Sequence, residues 1–359
     1  FRIFVDFGYS LTAPKAIAQA EEQNIGSLFA KYFYGKVCIL IFITAVFFAI
    51  YNLQRILLGN TIDILLFQVM YCGIIGNVLF PVWFFQGIQK MRYITILNMC
   101  GRICTMLGIF LLVKSPDDYI LAAFLQACTP LIAGIFSIVW LRKHYTGLFK
   151  LPPMGEIINS YKEGWSIFVS SLAVNLYTAT NVVVLGMLTN NVIVGYYSAA
   201  DKLITCVRRG IYAVSDAIYP FISKMMKDDI PKGLQFIKKQ LFLYLIVGVV
   251  GCTSLFFFSD TIVRLLFGAD YDLTVDVLRI LSFVPLAVAI STVFGEETML
   301  PLNMNSAYSR TLVLGAFFSL ISIFPLCYLW GAKGVAITML LTEFLIMSIM
   351  GGLLRKQLF

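Results

Sequence analysis

Charge is scarce in this chain. Asp, Glu, Lys and Arg make up only 13% of its 359 residues, against about 25% in soluble globular domains. Hydrophobic residues make up 60%, and the mean hydropathy is +0.87. That balance excludes an ordinary soluble domain and predicts a polytopic membrane protein. Histidine is nearly missing: the single copy, His144, lies in a basic segment, so no zinc or iron ligand set can form around it. The cysteines (Cys38, Cys72, Cys100, Cys104, Cys128, Cys206, Cys252 and Cys327) stand singly in apolar stretches. Only Cys100 and Cys104 share a helix face at i,i+4. They read as small hydrophobes, and neither a metal nor a cofactor is expected.

Catalytic constellations are also missing. There is no Gly-rich phosphate loop followed by Lys-Ser/Thr, no HExxH, and no histidine within an apolar run. Glu296 and Glu297 are adjacent, but neighbouring helix positions diverge by about 100° and do not face each other as an acid/base pair. No enzyme is expected, and ATP-driven transport by this chain alone is excluded on the same ground. The formal charge of +8 does not indicate nucleic acid. The Lys and Arg residues sit in short segments between apolar runs, without basic-aromatic motifs.

What the chain does have is hydrophobic runs of spanning length. Helices are expected near 1–13, 37–58, 62–86, 94–113, 119–141, 165–189, 192–224, 240–266, 276–300, 309–330 and 332–354. The chain begins at Phe1, and residues 1–10 read as the end of a membrane helix, so one further helix is expected before them. Alternate breaks differ sharply in charge. One set holds 17 basic residues, among them Lys15, Lys90, Arg142, Lys224, Lys232 and Arg355. The other holds only Arg55, Lys114, Arg264, Arg279 and Lys333, alongside Asp63, Asp117, Asp118, Asp260, Asp270, Asp272 and Asp276. The positive-inside rule makes the first set, and the C-terminus, cytoplasmic. The longest basic break, 141–164 with Pro152-Pro153, contains a cytoplasmic linker (151–164) between an N-terminal lobe (1–150, about five spans) and a C-terminal lobe (165–359, about six). With the missing helix restored, two pseudo-symmetric six-helix lobes result. The expected fold is an all-α transmembrane bundle of the kind that places a site between paired repeats.

One segment breaks the apolar rule. In Gly195–Pro220, GYYSAADKLITCVRRGIYAVSDAIYP, the residues Asp201, Lys202, Thr205, Arg208, Arg209, Tyr212 and Asp216 fall within an arc of about 120° on a helix. Charge in hydrocarbon costs about 2.5–3.5 kcal/mol per residue even on the lenient insertion scales. Arg2, Asp6, Arg102 and Glu343 also fall at membrane depth. Two readings stand: a structural network of paired charges, with Asp201 meeting Arg208 and Asp216 meeting Arg209, or the lining of a hydrated cavity. Two adjacent arginines and Lys202 cannot all be served by Asp201, which favours the cavity. The planar fork of arginine also suits phosphate. Polar positions Asn175, Tyr177, Thr178, Thr180 and Asn181, one helix earlier, are expected to line the same space. Pro81, Pro130, Pro220, Pro285, Pro301 and Pro325 mark candidate kinks.

Several long motifs carry a family resemblance. LYTATNVVVLGMLTNNVIVGYYSAADKL (Leu176–Leu203) resembles the central signature of Wzx-type O-antigen flippases, polysaccharide transporters of the multidrug/oligosaccharidyl-lipid/polysaccharide exporter superfamily. DFGYSLTAPKAIA (Asp6–Ala18), IVRLLFGADYDLTVDVLRILSFVPL (Ile262–Leu286) and ETMLPLNMNSAYSR (Glu297–Arg310) are similar to family segments in order and spacing. The resemblance implies a twelve-helix bacterial inner-membrane protein that moves undecaprenyl-diphosphate-linked oligosaccharide to the periplasmic leaflet by alternating access. Its implied partners are that substrate, the bilayer and other polysaccharide-assembly proteins. On this reading Arg208, Arg209 and Lys202, with Arg102 and Arg2, neutralise the diphosphate. Tyr177, Asn181 and Tyr212 meet sugar hydroxyls, while Asp6, Asp201, Asp216 and Glu343 serve gating or ion coupling. Gly295-Glu296-Glu297 departs from the family pattern, and its acids are expected at the cytoplasmic interface. The competing readings are a multidrug exporter, which would want an acidic cleft, and an O-antigen polymerase or ligase, which would want a large periplasmic loop. A scaffolding protein would tolerate neutral replacement of the whole stripe.

Overall fold

The computed structural model describes residues 2–58, 64–115, 118–145, 148–268 and 270–358, and all regular structure among them is helical. In chain order the helices are α1 (Arg2–Asp6), α2 (Tyr9–Ala18), α3 (Ile25–Leu58), α4 (Ile64–Leu79), α5 (Val82–Gly87), α6 (Met91–Leu112) and α7 (Tyr119–His144). There follow α8 (Met154–Leu188), α9 (Asn191–Asp228), α10 (Ile230–Phe267), α11 (Asp272–Leu281), α12 (Val284–Phe294), a π turn (Gly295–Met299) and α13 (Asn305–Leu358).

Among the described residues, eight helical stretches are long and apolar enough to cross a membrane. The sequence predicts about eleven, and three features account for the difference. The pair α1–α2 is too short, and α9 is too highly charged to count as apolar. The third is α13, whose 54 residues would span about 81 Å and so conceal two crossings. At Gly331 its backbone turns out of helical geometry (φ 54°, ψ −129°). Gly315 packs on Ile346, and Gly334 packs on the Leu326 carbonyl. Those pairings are antiparallel, so α13 is a helical hairpin with its tip at Gly331. A Cβ on Gly334 would collide with the backbone of Leu326 and Cys327 in the limb before the tip.

The chain forms two compact units, residues 1–168 and 169–359. The break expected at 151–164 is mostly helix: α8 begins at Met154 and runs into the second unit. In the first unit, α1 and α2 are separated by Phe7 and Gly8, both at positive φ (45° and 77°). Gly8 lies against Gly164 and Ile167 of α8 with no room for a Cβ. The Phe7 ring stacks on Phe168 at 4.7 Å, and Tyr9 hydrogen-bonds Ser160 at 2.6 Å. The first part of α8 is therefore bound into this unit. Helices α4 and α7 pack through small residues: Gly76 meets Pro130 and Leu131, Gly73 meets Ala127, and Gly134 meets Leu79. Small residues let membrane helices approach closely where lipid offers no hydrophobic drive.

The second unit is built around a core of Leu185, Ala200, Ile204, Val277, Leu278, Val284, Val335 and Ala336, contributed by α8, α9, α11, α12 and α13. Pro285 opens α12 in its first turn, where the missing N–H costs nothing. Pro130, Pro220 and Pro325 are inside helices, Pro81 caps α5, and Pro301 follows the π turn. Helices α9 and α10 have 38 residues each, about 57 Å, which exceeds a hydrocarbon core of about 30 Å. Their overhanging ends carry Lys224, Lys227, Lys232, Lys238 and Lys239. Asp229 joins them and caps α10 by accepting from the Lys232 backbone N–H at 3.1 Å.

Candidate functional site

Helix α9 starts at Asn190, whose side chain accepts from the Ile193 backbone N–H at 3.0 Å. It buries a stripe of Tyr197, Ala200, Ile204, Ser215, Tyr219, Ile222 and Met226 in the second unit. The polar arc read from sequence is divided by this burial. Lys202, Arg209 and Asp216, spaced by seven, lie along the exposed side. Arg208 and Tyr212 turn inward, and only 11% of the Arg208 side chain is exposed.

Inside the unit these two residues meet α8 and the second limb of α13. The Tyr177 hydroxyl donates to Glu343 Oε1 at 3.0 Å, and an Arg208 guanidinium nitrogen lies 3.7 Å from the same oxygen. The Arg208 guanidinium also donates to the Tyr212 hydroxyl at 3.5 Å. Asp201, about two turns back along α9, adds a further negative charge within electrostatic range of Arg208. Burying a guanidinium and a carboxylate costs several kcal/mol each, and their attraction repays that only with good geometry. Here the contact is long and off the best hydrogen-bonding distance. Arg208 is held loosely by Glu343, which leaves donors able to engage another anion.

Of the residues predicted to act together, the structure assembles Arg208, Tyr212, Tyr177 and Glu343, with Asp201 beside them. Asn181 is also buried, and its carbonyl oxygen finds no hydrogen-bond partner among the described residues. The reading of the stripe as a structural network pairs Asp201 with Arg208 and Asp216 with Arg209. The carboxylate actually within ion-pair distance of Arg208 is Glu343, and Asp216 faces Glu296, a like charge. In the first unit, Asp6 is paired with Lys36 at 2.6 Å and accepts from the Ser10 backbone N–H, so its partner is a lysine rather than an arginine. Arg102 is exposed on α6 among Met99, Ile103 and Met106. The side chain of Arg2 lies outside the described residues.

A second polar group escaped the sequence reading. Glu296 and Glu297, expected at a cytoplasmic interface, lie in the π turn, and Glu297 is fully buried. Ser215 of α9 and Gln240 of α10 face the Glu297 carboxylate. A π turn is one residue wider than an α turn and often marks a functional position. Counting by 3.6 could not place these side chains, because the extra residue rotates everything after it.

The architecture defines the class first: a polytopic helical transporter fold. The structure superposes on a crystal structure of MATE in the bent conformation over 99% of this chain and 83% of the other, with a TM-score of 0.83 and 11% identity. It matches lipid II flippase MurJ, in an inward closed conformation, over 98% of this chain and 78% of that one, with a TM-score of 0.66 and 14% identity. Identities this low speak for the fold alone.

The sequence profile described as "Polysaccharide biosynthesis protein" matches residues 1–226, and the chain belongs to that family. A protein of Escherichia coli K12 named "Putative O-antigen transporter" is 29% identical over 364 residues, covering 99% of this chain and 85% of its own. A Shigella dysenteriae protein of the same name is 29% identical over 97% of this chain and 86% of its own. The "Probable low-salt glycan biosynthesis flippase Agl15" of Haloferax volcanii is 23% identical over 67% of this chain and 50% of its own.

Proposed function

We propose that this protein is a flippase for undecaprenyl-diphosphate-linked oligosaccharide, an O-antigen or related repeat unit, carried from the cytoplasmic to the periplasmic leaflet of a bacterial inner membrane. The observation that carries the reading is the buried Arg208, set among Tyr177, Tyr212 and Glu343 inside a transporter fold whose relatives are named for O-antigen and glycan transport. A diphosphate leaving water needs charge-assisted donors to replace its hydration. Arg208 supplies them, and its contact with Glu343 is weak enough to be exchanged for phosphate. Lys202 and Arg209, exposed on the same helix, would meet the head group before or after it reaches Arg208. Tyr177, Tyr212 and Asn181 supply hydroxyl and amide groups suited to sugar. Asp6, Asp201, Asp216 and Glu343 act as exchange partners for the basic groups as the protein changes state. No bond is made or broken, so the protein is a carrier and not an enzyme.

The fold is shared with multidrug transporters, so fold does not separate the two uses. The basic character of the buried group does, since a cationic drug would be repelled by Arg208. In a bacterial strain lacking its own flippase, the full-length protein is expected to restore surface polysaccharide, and Arg208→Ala at matched expression is expected to reduce it at least about tenfold. Undiminished glycan with Arg208→Ala would remove Arg208 from the site. Failure of the unmutated protein at every suitable polysaccharide locus would remove the function.

A further inference from the structure

Where α6 begins and α7 finishes, the first unit carries cations that the fold leaves unneutralised. Antiparallel packing brings Gly101 of α6 to the Thr129 carbonyl and Gly108 to Leu125 of α7. The same register sets Tyr93 against Trp140, with ring centres 4.4 Å apart. Lys90 Nζ lies 5.6 Å from the Trp140 ring centre and 5.8 Å from that of Tyr145. The Arg92 guanidinium lies 5.1 Å over Tyr93, and that of Arg142 lies 5.3 Å over Phe149. An aromatic face holds a cation in place but leaves its full charge. Carboxylates are missing here, since the sequence has no Asp or Glu from 64 to 115 or from 119 to 155. Elsewhere in this unit Asp6 and Glu163 are already taken by Lys36 and Lys31. Lys90, Arg92 and Arg142 are exposed and form no ion pair among the described residues.

Two of these cations also head apolar stripes. On α6, Arg92, Ile96, Met99 and Ile103 recur at spacings of four, three and four. On α7, Ile135, Val139 and Arg142 recur at four and three. Residues so spaced share a helix face, and all of these are exposed. A cationic head, a collar of Tyr and Trp and an apolar track match a phospholipid part by part: phosphate, glycerol esters, acyl chains. The lysines of the α9–α10 overhang differ, because Asp228 and Asp229 are interleaved with them and offset their charge. We propose that Lys90, Arg92, Tyr93, Trp140, Arg142 and Tyr145 form a binding site for one anionic glycerophospholipid. Such a lipid is the phosphate that a membrane surface meets at the highest concentration. The site lies within the first unit and does not depend on the flippase reading.

Native mass spectrometry of the purified full-length protein tests this. The protein is released from detergent micelles holding phosphatidylglycerol and phosphatidylcholine with identical acyl chains. One phosphatidylglycerol per chain should be retained at concentrations where phosphatidylcholine is not. Lys90→Gln with Arg142→Gln should weaken that retention by about fivefold for each charge removed. Lys232→Gln with Lys238→Gln removes as many charges from the α9–α10 overhang and should leave it unchanged. Both site cations are exposed, so an unaltered unfolding midpoint is expected of the double variant. Lys90→Gln alone keeps the test open if that variant fails to fold. The proposal is overturned by equal retention of the two lipids, or by unchanged retention in the site variants. It is overturned as well by an equal loss in the α9–α10 variant, which would reduce the effect to overall charge. Displacement by millimolar glycerol phosphate would make this a site for free anions. Tighter retention of undecaprenyl diphosphate would place it on the substrate's path, and either result also overturns it. Surface glycan is read in none of these arms, so failure here and failure of the flippase reading are distinguishable.

Discussion

Arg208 can be asked whether it holds the structure together or serves a ligand, because the two roles separate in a double substitution. Removing one partner of a buried ion pair leaves the other charge stranded, at a cost of about 3–5 kcal/mol. Arg208→Ala is therefore expected to lower the unfolding midpoint of the purified protein clearly. Adding Glu343→Gln removes the stranded charge, while the amide can still accept from the Tyr177 hydroxyl, now 3.0 Å from Glu343. The double variant should recover most of the lost stability and still fail to restore surface glycan. Recovery of both would reduce Arg208 to a structural role. Lys202→Ala and Arg209→Ala provide the complement. Both side chains are exposed, so each should change stability by no more than about 0.5 kcal/mol, and any loss of surface glycan then reports contact with the head group. That Arg208 needed a partner was legible in the sequence, because an arginine in an apolar run must be paired or hydrated. Which partner was not legible. Glu343 lies 166 residues from Tyr177, and only folding brings α8, α9 and α13 together.

At the scale of elements, close approach between helices depends on glycines that a Cβ would displace. Gly76 of α4 sits against the backbone of Pro130 and Leu131 in α7, where a Cβ has no room and no flexible side chain can yield. Gly76→Ala is expected to destabilise the protein by about 1–3 kcal/mol, read as a lowered unfolding midpoint in detergent. Gly210 of α9 has nothing within reach of a Cβ. Gly210→Ala should be neutral or stabilise by up to about 1 kcal/mol through helix propensity. An equal response of the two would mean that the α4–α7 approach is not a determinant of stability. Helix existence was legible from runs of apolar residues, and the break between 330 and 332 was anticipated by hydropathy before Gly331 supplied the turn. The π turn at Gly295–Met299 carried no such signal. Its residues fit an ordinary helix equally well, and only packing of Glu297 against α9 and α10 distinguishes the wider turn.

For the whole molecule, orientation follows from charge that the fold places at helix ends. The overhang of α9 and α10 gathers five lysines, all exposed, at one end of two helices longer than the bilayer is thick. The α6–α7 connection at the opposite end of the alternation presents Asp118, whose carboxylate accepts from the Lys114 and Ser115 backbone N–H groups at 2.9 Å. These two bonds hold the Asp118 carboxyl below the ordinary range for a surface aspartate, so this turn stays acidic at any physiological pH. Lys and Arg near helix ends resist translocation while Asp and Glu contribute little, so the lysine-bearing ends are expected in the cytoplasm. A reporter active only in the cytoplasm, inserted between Asp228 and Asp229 or fused after Phe359, should therefore be active. One active only in the periplasm should be active at Ser115 and at Asp270. Because the two sets of sites alternate along one chain, a single misplaced signal would show a miscounted span. A complete exchange of signals would instead invert the topology, and with it the direction in which the lysine-rich ends could first meet a cytoplasmic lipid-linked sugar.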